Sequence, residues 1–156
     1  MKILAIDPGN TQSAFVVLES LCILDKGILP NLELLQRLGD FPCEKMVIEM
    51  VASFGMPVGK EVFETVFWIG RFCQAWPHSW KRLYRQEIKL HLCGSPRAKD
   101  GNVRQALLDK VGLPGTIKAK GPTYGVKKDI WSALAVGVTW IEIYGKVKSE
   151  KEKESH

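Results

Sequence analysis

Three acidic residues stand where an acid is expensive. Asp7 ends the apolar run Lys2–Ile6 and is followed at once by Pro8-Gly9-Asn10. Glu49 closes Val47-Ile48-Glu49, and Asp129 follows Lys127-Lys128 at the start of a long apolar segment. A carboxylate at the edge of a buried element is costly unless something pairs with it. Taken singly, each has an ordinary account. Asp7 could cap the Pro-Gly bend, Glu49 could pair with a surface lysine such as Lys45, and Asp129 could face the positive end of a helix. Together they point elsewhere, because neighbouring carboxylates repel and cannot all stay ionised unless a cation joins them. Hard divalent cations prefer oxygen ligands, and Mg²⁺ combines few protein ligands with waters and phosphate oxygens. The pattern suggests phosphate chemistry on a metal held by carboxylates.

The elements that must position these acids follow from hydrophobic pattern and turn residues. Lys2–Ile6 reads as a central buried strand. Ser13–Leu18 and Leu21–Leu29, the latter broken by Asp25-Lys26-Gly27, complete an antiparallel meander. Pro30-Asn31 opens a helix with Asn31 as its N-cap, Leu32, Leu35 and Leu38 at helical spacing, and Gly39 at its end. Lys45–Met50 is a fourth strand, and a right-handed crossover sets it parallel beside the first, bringing Asp7 and Glu49 together. Val51–Gly59 is a loop, Lys60–Trp76 a long helix, Ser79–Tyr84 a fifth strand and Gln86–Leu92 a short helix. Asp100 is expected to N-cap a helix running to Val111. Gly112–Tyr124 is a basic Gly/Pro-rich loop, and Lys127–Tyr144 forms the last helix, which supplies Asp129. Residues 1–145 form one domain in this reading, and residues 146–156 a charged, disordered tail.

Composition sets outer bounds. The 156 residues carry a net charge of +5, a modest hint of a polyanionic partner. No apolar run is long enough for a membrane span, and the chain opens directly on a strand rather than a signal peptide. The four cysteines are widely spaced with no Cys-x-x-Cys pair. Reduced, buried thiols and a cytoplasmic setting are expected, not a zinc site.

Ile-Asp-Pro-Gly-Asn-Thr, then Val-Ile-Glu-Met after a hairpin and a helix, then a late Asp-Ile-Trp-Ser-Ala-Leu-Ala-Val helix, resemble a RuvC-type Holliday junction resolvase. The compact bacteriophage-borne members are the most similar. The resemblance covers residues 1 to 144. It implies an α/β ribonuclease H-like fold with a mixed five-stranded sheet flanked by helices. It also implies a homodimer, Mg²⁺-dependent cutting of four-way DNA junctions in recombination and repair, and work in the bacterial host's cytoplasm. Mn²⁺ would be able to replace Mg²⁺. Asp7, Glu49 and Asp129 carry over as catalytic metal ligands. A further acid expected three residues after Asp129 is absent. Ser132 stands there, on the same helix face, and could act only through a metal-bound water. Lys89 and Lys99 match the family's DNA-contacting or catalytic lysines by segment, with Lys99 taken as catalytic.

The remaining candidates concern DNA. Lys60, Arg71, Lys89, Arg97, Lys99, Arg104, Lys118, Lys120, Lys127 and Lys128 are the basic ones. Those flanking the loop before Asp129 suit tracking of a phosphate backbone. Phe54 and Met56, just after Glu49, either fold under their loop or wedge between bases at a crossover. Two other classes remain in view. One is a branched-DNA binder that keeps the fold but does not cut, which the Ser132 departure favours. The other is a kinase-like phosphotransferase, for which the chain lacks a second lobe. Along Lys60–Trp76 the apolar residues span well over half the helix circumference. A helix packed on its own sheet needs a stripe little wider than 100°. The surplus around Phe63, Phe67 and Gly70 predicts a two-fold contact with a second copy, unless the helices near Gln86 and Asp129 cover it.

Overall fold

The computed structural model describes residues 1–145; the tail expected beyond them lies outside the described residues. Five strands form one sheet in the order β3-β2-β1-β4-β5: β1 (Lys2–Asp7), β2 (Gln12–Glu19), β3 (Cys22–Pro30), β4 (Lys45–Met50) and β5 (Ser79–Tyr84). β1, β2 and β3 are antiparallel neighbours, whereas β4 runs parallel to both β1 and β5. The mixed sheet with an antiparallel meander is the one the sequence order requires. β3 is continuous rather than broken: Asp25, Lys26 and Gly27 pair in register with Val17, Val16 and Phe15, and the one register shift, between Val17 and Leu18, falls at Leu24. Asp25 and Lys26 sit exposed or half-exposed on this edge strand, where charge discourages further pairing.

Alternation along the strands builds two cores. Ile3, Ala5, Val16, Leu18, Val47 and Leu83 face one side of the sheet. There they meet α3 (Arg85–Cys93), α4 (Asp100–Val111) and α5 (Ile130–Trp140). Leu4, Ile6, Phe15, Val17, Met46 and Ile48 face the other side, under α1 (Asn31–Arg37) and α2 (Lys60–Ala75). A strand buried on both faces reads as an unbroken apolar run, which is why Ile3–Ile6 shows no alternation. α5 is buried almost throughout. It lies flush on the sheet at Gly137, where a Cβ would come within 2.5 Å of Leu18 Cδ1 and 3.0 Å of Ala5 Cβ. A π-helical turn, Ile141–Gly145, follows. Glu142 there meets His91 at 2.9 Å and Lys110 at 3.0 Å, and those two partners hold its carboxyl below the ordinary value against the effect of burial.

Several local expectations need correction. Asn31 is the first helical residue of α1, not its cap; Pro30 occupies that position. Lys99, not Asp100, caps α4, its backbone N–H donating to Asn102 Oδ1 at 3.1 Å. α3 begins one residue early, at Arg85. α5 begins at Ile130, so Lys127–Asp129 form a turn before it. Of the cysteines only Cys43 and Cys73 are buried; Cys22 is exposed at the start of β3 and Cys93 is intermediate. Burial pushes the Cys43 thiol up to about 11, far from a reactive thiolate.

Candidate active site

Parallel pairing of Ile6 with Ile48 makes Asp7 and Glu49 the next residues on adjacent strands. Both follow core-facing residues, Ala5 and Val47, by two positions, so both side chains share the α5 side of the sheet. Their carboxyl groups are hydrogen-bonded to each other. Burial is the largest effect on Asp7, followed by the negative charges of Glu49 and Asp129, and its carboxyl is pushed up to about 8 from 3.8. Burial also raises Glu49, against the pull of Arg85 and Lys89. Two acids that close, in so little water, hold a proton between them.

The turn after Asp7 is clamped from below. Gly9 N–H donates to Ser13 Oγ at 3.1 Å, and Ser13 Oγ–H donates to Asn31 Oδ1 at 2.6 Å. Asn31 Nδ2 returns to the Gly9 carbonyl at 2.8 Å, and Asn31 N–H donates to Thr11 O at 3.0 Å. Ser13 and Asn31 are both buried. Any Cβ at Gly9 would lie 2.3 Å from Gln12 O, so only glycine fits. Asn31 was missed because its type suits a helix cap, and only the fold reveals the loop that claims its side chain.

Asp129 sits at the cap position of α5 without a hydrogen bond from its side chain to that helix. Its charge reaches Asp7 through space. The preceding Lys128 is left-handed at φ 48°, which costs energy in a residue with a Cβ. Ser132, one turn into α5, lines a narrow cleft of about 30 Å³ with Glu49, Arg85, Lys89 and Asp100. A second cavity of about 260 Å³ opens above Asp7, Gly9 and Glu49, walled by Arg85 and by Glu61, Val62 and Thr65 from α2. Arg85 borders both and reaches Asp100 at 3.2 Å. Nothing in the sequence marked it; the β4–β5 register, Glu49 opposite Leu83, brings the residue after β5 to the acids. Lys89 reaches this cleft, but Lys99 lines neither cavity.

The donor set suits a hard divalent cation in kind, since such an ion binds carboxyl oxygens and would displace the proton that Asp7 and Glu49 share. Asp7 and Glu49 form the tight pair, with Asp129 standing further back. Among the described residues no group of three His, Cys, Asp or Glu side chains is close enough to hold a metal ion as it stands.

The basic candidates divide by place. Lys127 and Lys128 lie in the turn before Asp129. Lys118 and Lys120 sit exposed on a small hairpin closed by the Gly115–Lys120 bridge, with Lys120 over Tyr124 at 5.2 Å. Arg97 is exposed in the α3–α4 turn, Lys60 begins α2, and Arg104 lies over Trp131 at 5.1 Å. Arg71 is elsewhere, over Trp68 at 4.3 Å on α2. Phe54 and Met56 are 63% and 71% exposed, so neither folds under its loop, and Phe54 is itself left-handed at φ 49°. Phe63 and Phe67 are 64% and 61% exposed. They lie on the helix across the sheet from α3 and α5, which therefore leave them uncovered. Beside them Leu35, Val66, Phe67 and Gly70 line a shallow apolar groove of about 540 Å³.

This sheet order, with helices on both faces and acids at the ends of β1 and β4, defines a ribonuclease H-like α/β fold. More particularly, the fold is that of RuvC. The chain superposes on Thermus thermophilus RuvC with a TM-score of 0.68 at 17% identity, covering 95% of this chain and 97% of that one. It superposes on T. thermophilus RuvC in complex with a Holliday junction substrate with a TM-score of 0.70, again at 17% identity, covering 95% and 96%. No protein-family model and no curated protein matches the sequence. Among the described residues no helix is long and apolar enough to cross a membrane.

Proposed function

We propose that this protein is a RuvC-type resolvase, an endonuclease that hydrolyses phosphodiesters in four-way DNA junctions with Mg²⁺ or Mn²⁺. The observation that carries the reading is the pair of half-buried Asp7 and buried Glu49, sharing a proton at the ends of two parallel central strands in a RuvC fold. A second copy of the chain, joined through Phe63 and Phe67 of α2, would supply the second incision. We also assign it to the cytoplasm, in a bacterial host if bacteriophage-encoded, and extend its substrates to other branched DNA.

In this reading Asp7 and Glu49 would hold the cation, Asp129 would complete its ligand set and Ser132 would hold a water. When bound, such a cation would supply activation of a water for in-line attack and charge stabilisation of the leaving oxygen. The clamp of Ser13 and Asn31 on Gly9 keeps Asp7 from shifting, since small misplacements of a reacting group are costly. Lys89, at the cleft, offsets charge on the scissile phosphate. Lys118, Lys120, Lys127 and Lys128 follow the backbone of an arm, and Phe54 and Met56 wedge against opened bases.

The competing reading, a junction binder that does not cut, draws on Ser132 in place of a fourth acid. Incubating the protein with a synthetic four-way junction and with linear duplex, in Mg²⁺ and in chelator, separates the two. Nicking of the junction alone, dependent on the metal and lost in Asp7→Asn while binding persists, is the expected result. Binding without any nicking would favour the competing reading.

A further inference from the structure

The cleft behind Glu49 is lined by cationic side chains at the place where the family resemblance implies an extra acid. Ser132 presents only a hydroxyl there, while Arg85 and Lys89 come in from the first two turns of α3. Arg85 is anchored at 3.2 Å to Asp100 on α4, yet the two side chains remain 57% and 84% exposed. Such a pair is worth little to stability, so stability alone does not account for an arginine at this place. The guanidinium borders both cavities that meet at Asp7 and Glu49. Its field acts on both carboxyls in the direction a bound cation would, opposing the effect of burial.

Charge balance sharpens the point. The acids in and beside the cleft are Asp7, Glu49, Asp129 and Asp100, with Glu61 on the wall of the adjoining cavity, and the cationic side chains are Arg85 and Lys89. Arg85 and Lys89 already offset part of the negative charge that cations would otherwise have to balance. A second ion would need another acid, and Ser132 does not supply it. We infer that each site takes one divalent cation and that Arg85 supplies the positive charge a second cation would bring to the scissile phosphate. Arginine suits this task, since its planar fork binds phosphate oxygens in pairs and keeps its charge at any working pH. The inference rests on the nuclease reading above.

Mn²⁺ alone is the probe. Paramagnetic titration of the full chain counts ions bound without DNA, and it is run on wild type, Arg85→Gln and the Ser132→Asp, Arg85→Gln double variant. One ion per wild-type chain is expected, tighter binding by several-fold in Arg85→Gln, and two ions in the double variant. On a four-way junction, Arg85→Gln should lose about 10²–10³-fold in kcat, the usual cost of removing a charge-stabilising donor. Its junction affinity in Ca²⁺ and its melting temperature should hold, and Arg85→Lys should recover part of the rate. Two ions bound by wild type would overturn the inference, as would Arg85→Gln cutting at the wild-type rate. A wild type that binds no Mn²⁺ and cuts nothing would instead remove the resolvase reading on which it rests.

Discussion

Asp7→Asn should change how the metal-free protein responds to pH. In the fold the Asp7 carboxyl is pushed up to about 8, chiefly by burial and then by Glu49 and Asp129, from an ordinary 3.8. Between those values the folded chain holds a proton that the unfolded chain releases. Stability therefore falls as pH rises, by at most about 1.4 kcal/mol per pH unit for one proton. From about pH 5 to about pH 8 the ceiling is about 4 kcal/mol, and sharing the proton with Glu49 brings the expected loss nearer 2 kcal/mol. In a chain of this size that lowers Tm by about 4–8 °C. An amide at position 7 carries no charge in this range, so Asp7→Asn should lose at least about half of that slope and melt higher than wild type near pH 8. Circular dichroism melts in chelator, stepped across the range, measure both slopes. Adding Mg²⁺ should raise the wild-type Tm at the alkaline end, where the carboxylates are free to bind it, and leave Asp7→Asn nearly unmoved. A flat wild-type profile, or an unchanged slope in the variant, would refute the argument from burial.

Glu49→Gln and Asp129→Asn should each abolish junction cleavage while sparing binding, and Ca²⁺ should support binding with little cutting; normal cleavage by either variant in Mg²⁺ would remove that residue from the site. Charge reversal at Lys118 and Lys120 together should weaken junction binding and reduce the slope of log K against log salt by about 2, the release expected from two phosphate contacts. An unchanged slope in fluorescence anisotropy would mean the hairpin does not touch the backbone. Phe67→Glu should convert a sedimenting dimer into a folded monomer that no longer makes paired incisions; a wild-type monomer at micromolar concentration that still makes coordinated cuts would end the dimer reading. Asn31→Ala should cost about 2–3 kcal/mol in chemical denaturation, because the buried Ser13 hydroxyl and the Gly9 carbonyl both lose a partner.

What the sequence disclosed and what it withheld follow one physical division. The sheet was legible because strand patterning and the handedness of crossovers are local or nearly local rules, and these alone bring β4 beside β1 and Asp7 beside Glu49. Residues whose side chains are claimed by distant backbone were not. Asn31 and Asp100 are both of types that favour helix caps, and each stands one position inside its helix. A tertiary partner, the Gly9 loop in one case and Arg85 in the other, takes the side chain instead. Arg85 could not be found without the register that sets Glu49 opposite Leu83. Lys99 illustrates the converse: only a segment match to the family's lysines singled it out, and in the fold its backbone is occupied in starting α4 and it lines neither cavity.

The two sides of α2 have a joint consequence. Its first turns, through Val62 and Thr65, wall the cavity above Asp7, while Phe63 and Phe67 on the same turns face outward. An α-helix of 16 residues is a stiff rod of about 24 Å. Anything seated on its outer edge therefore grips the wall of the pocket as well, without touching an acid. In a symmetric pair the two rods would lie against each other, and a strain entering one pocket with a bound strand would be felt in the other. Timing between two incisions could then be carried mechanically through a pair of aromatic side chains, and lost by softening their contact while every ligand to the metal stays in place.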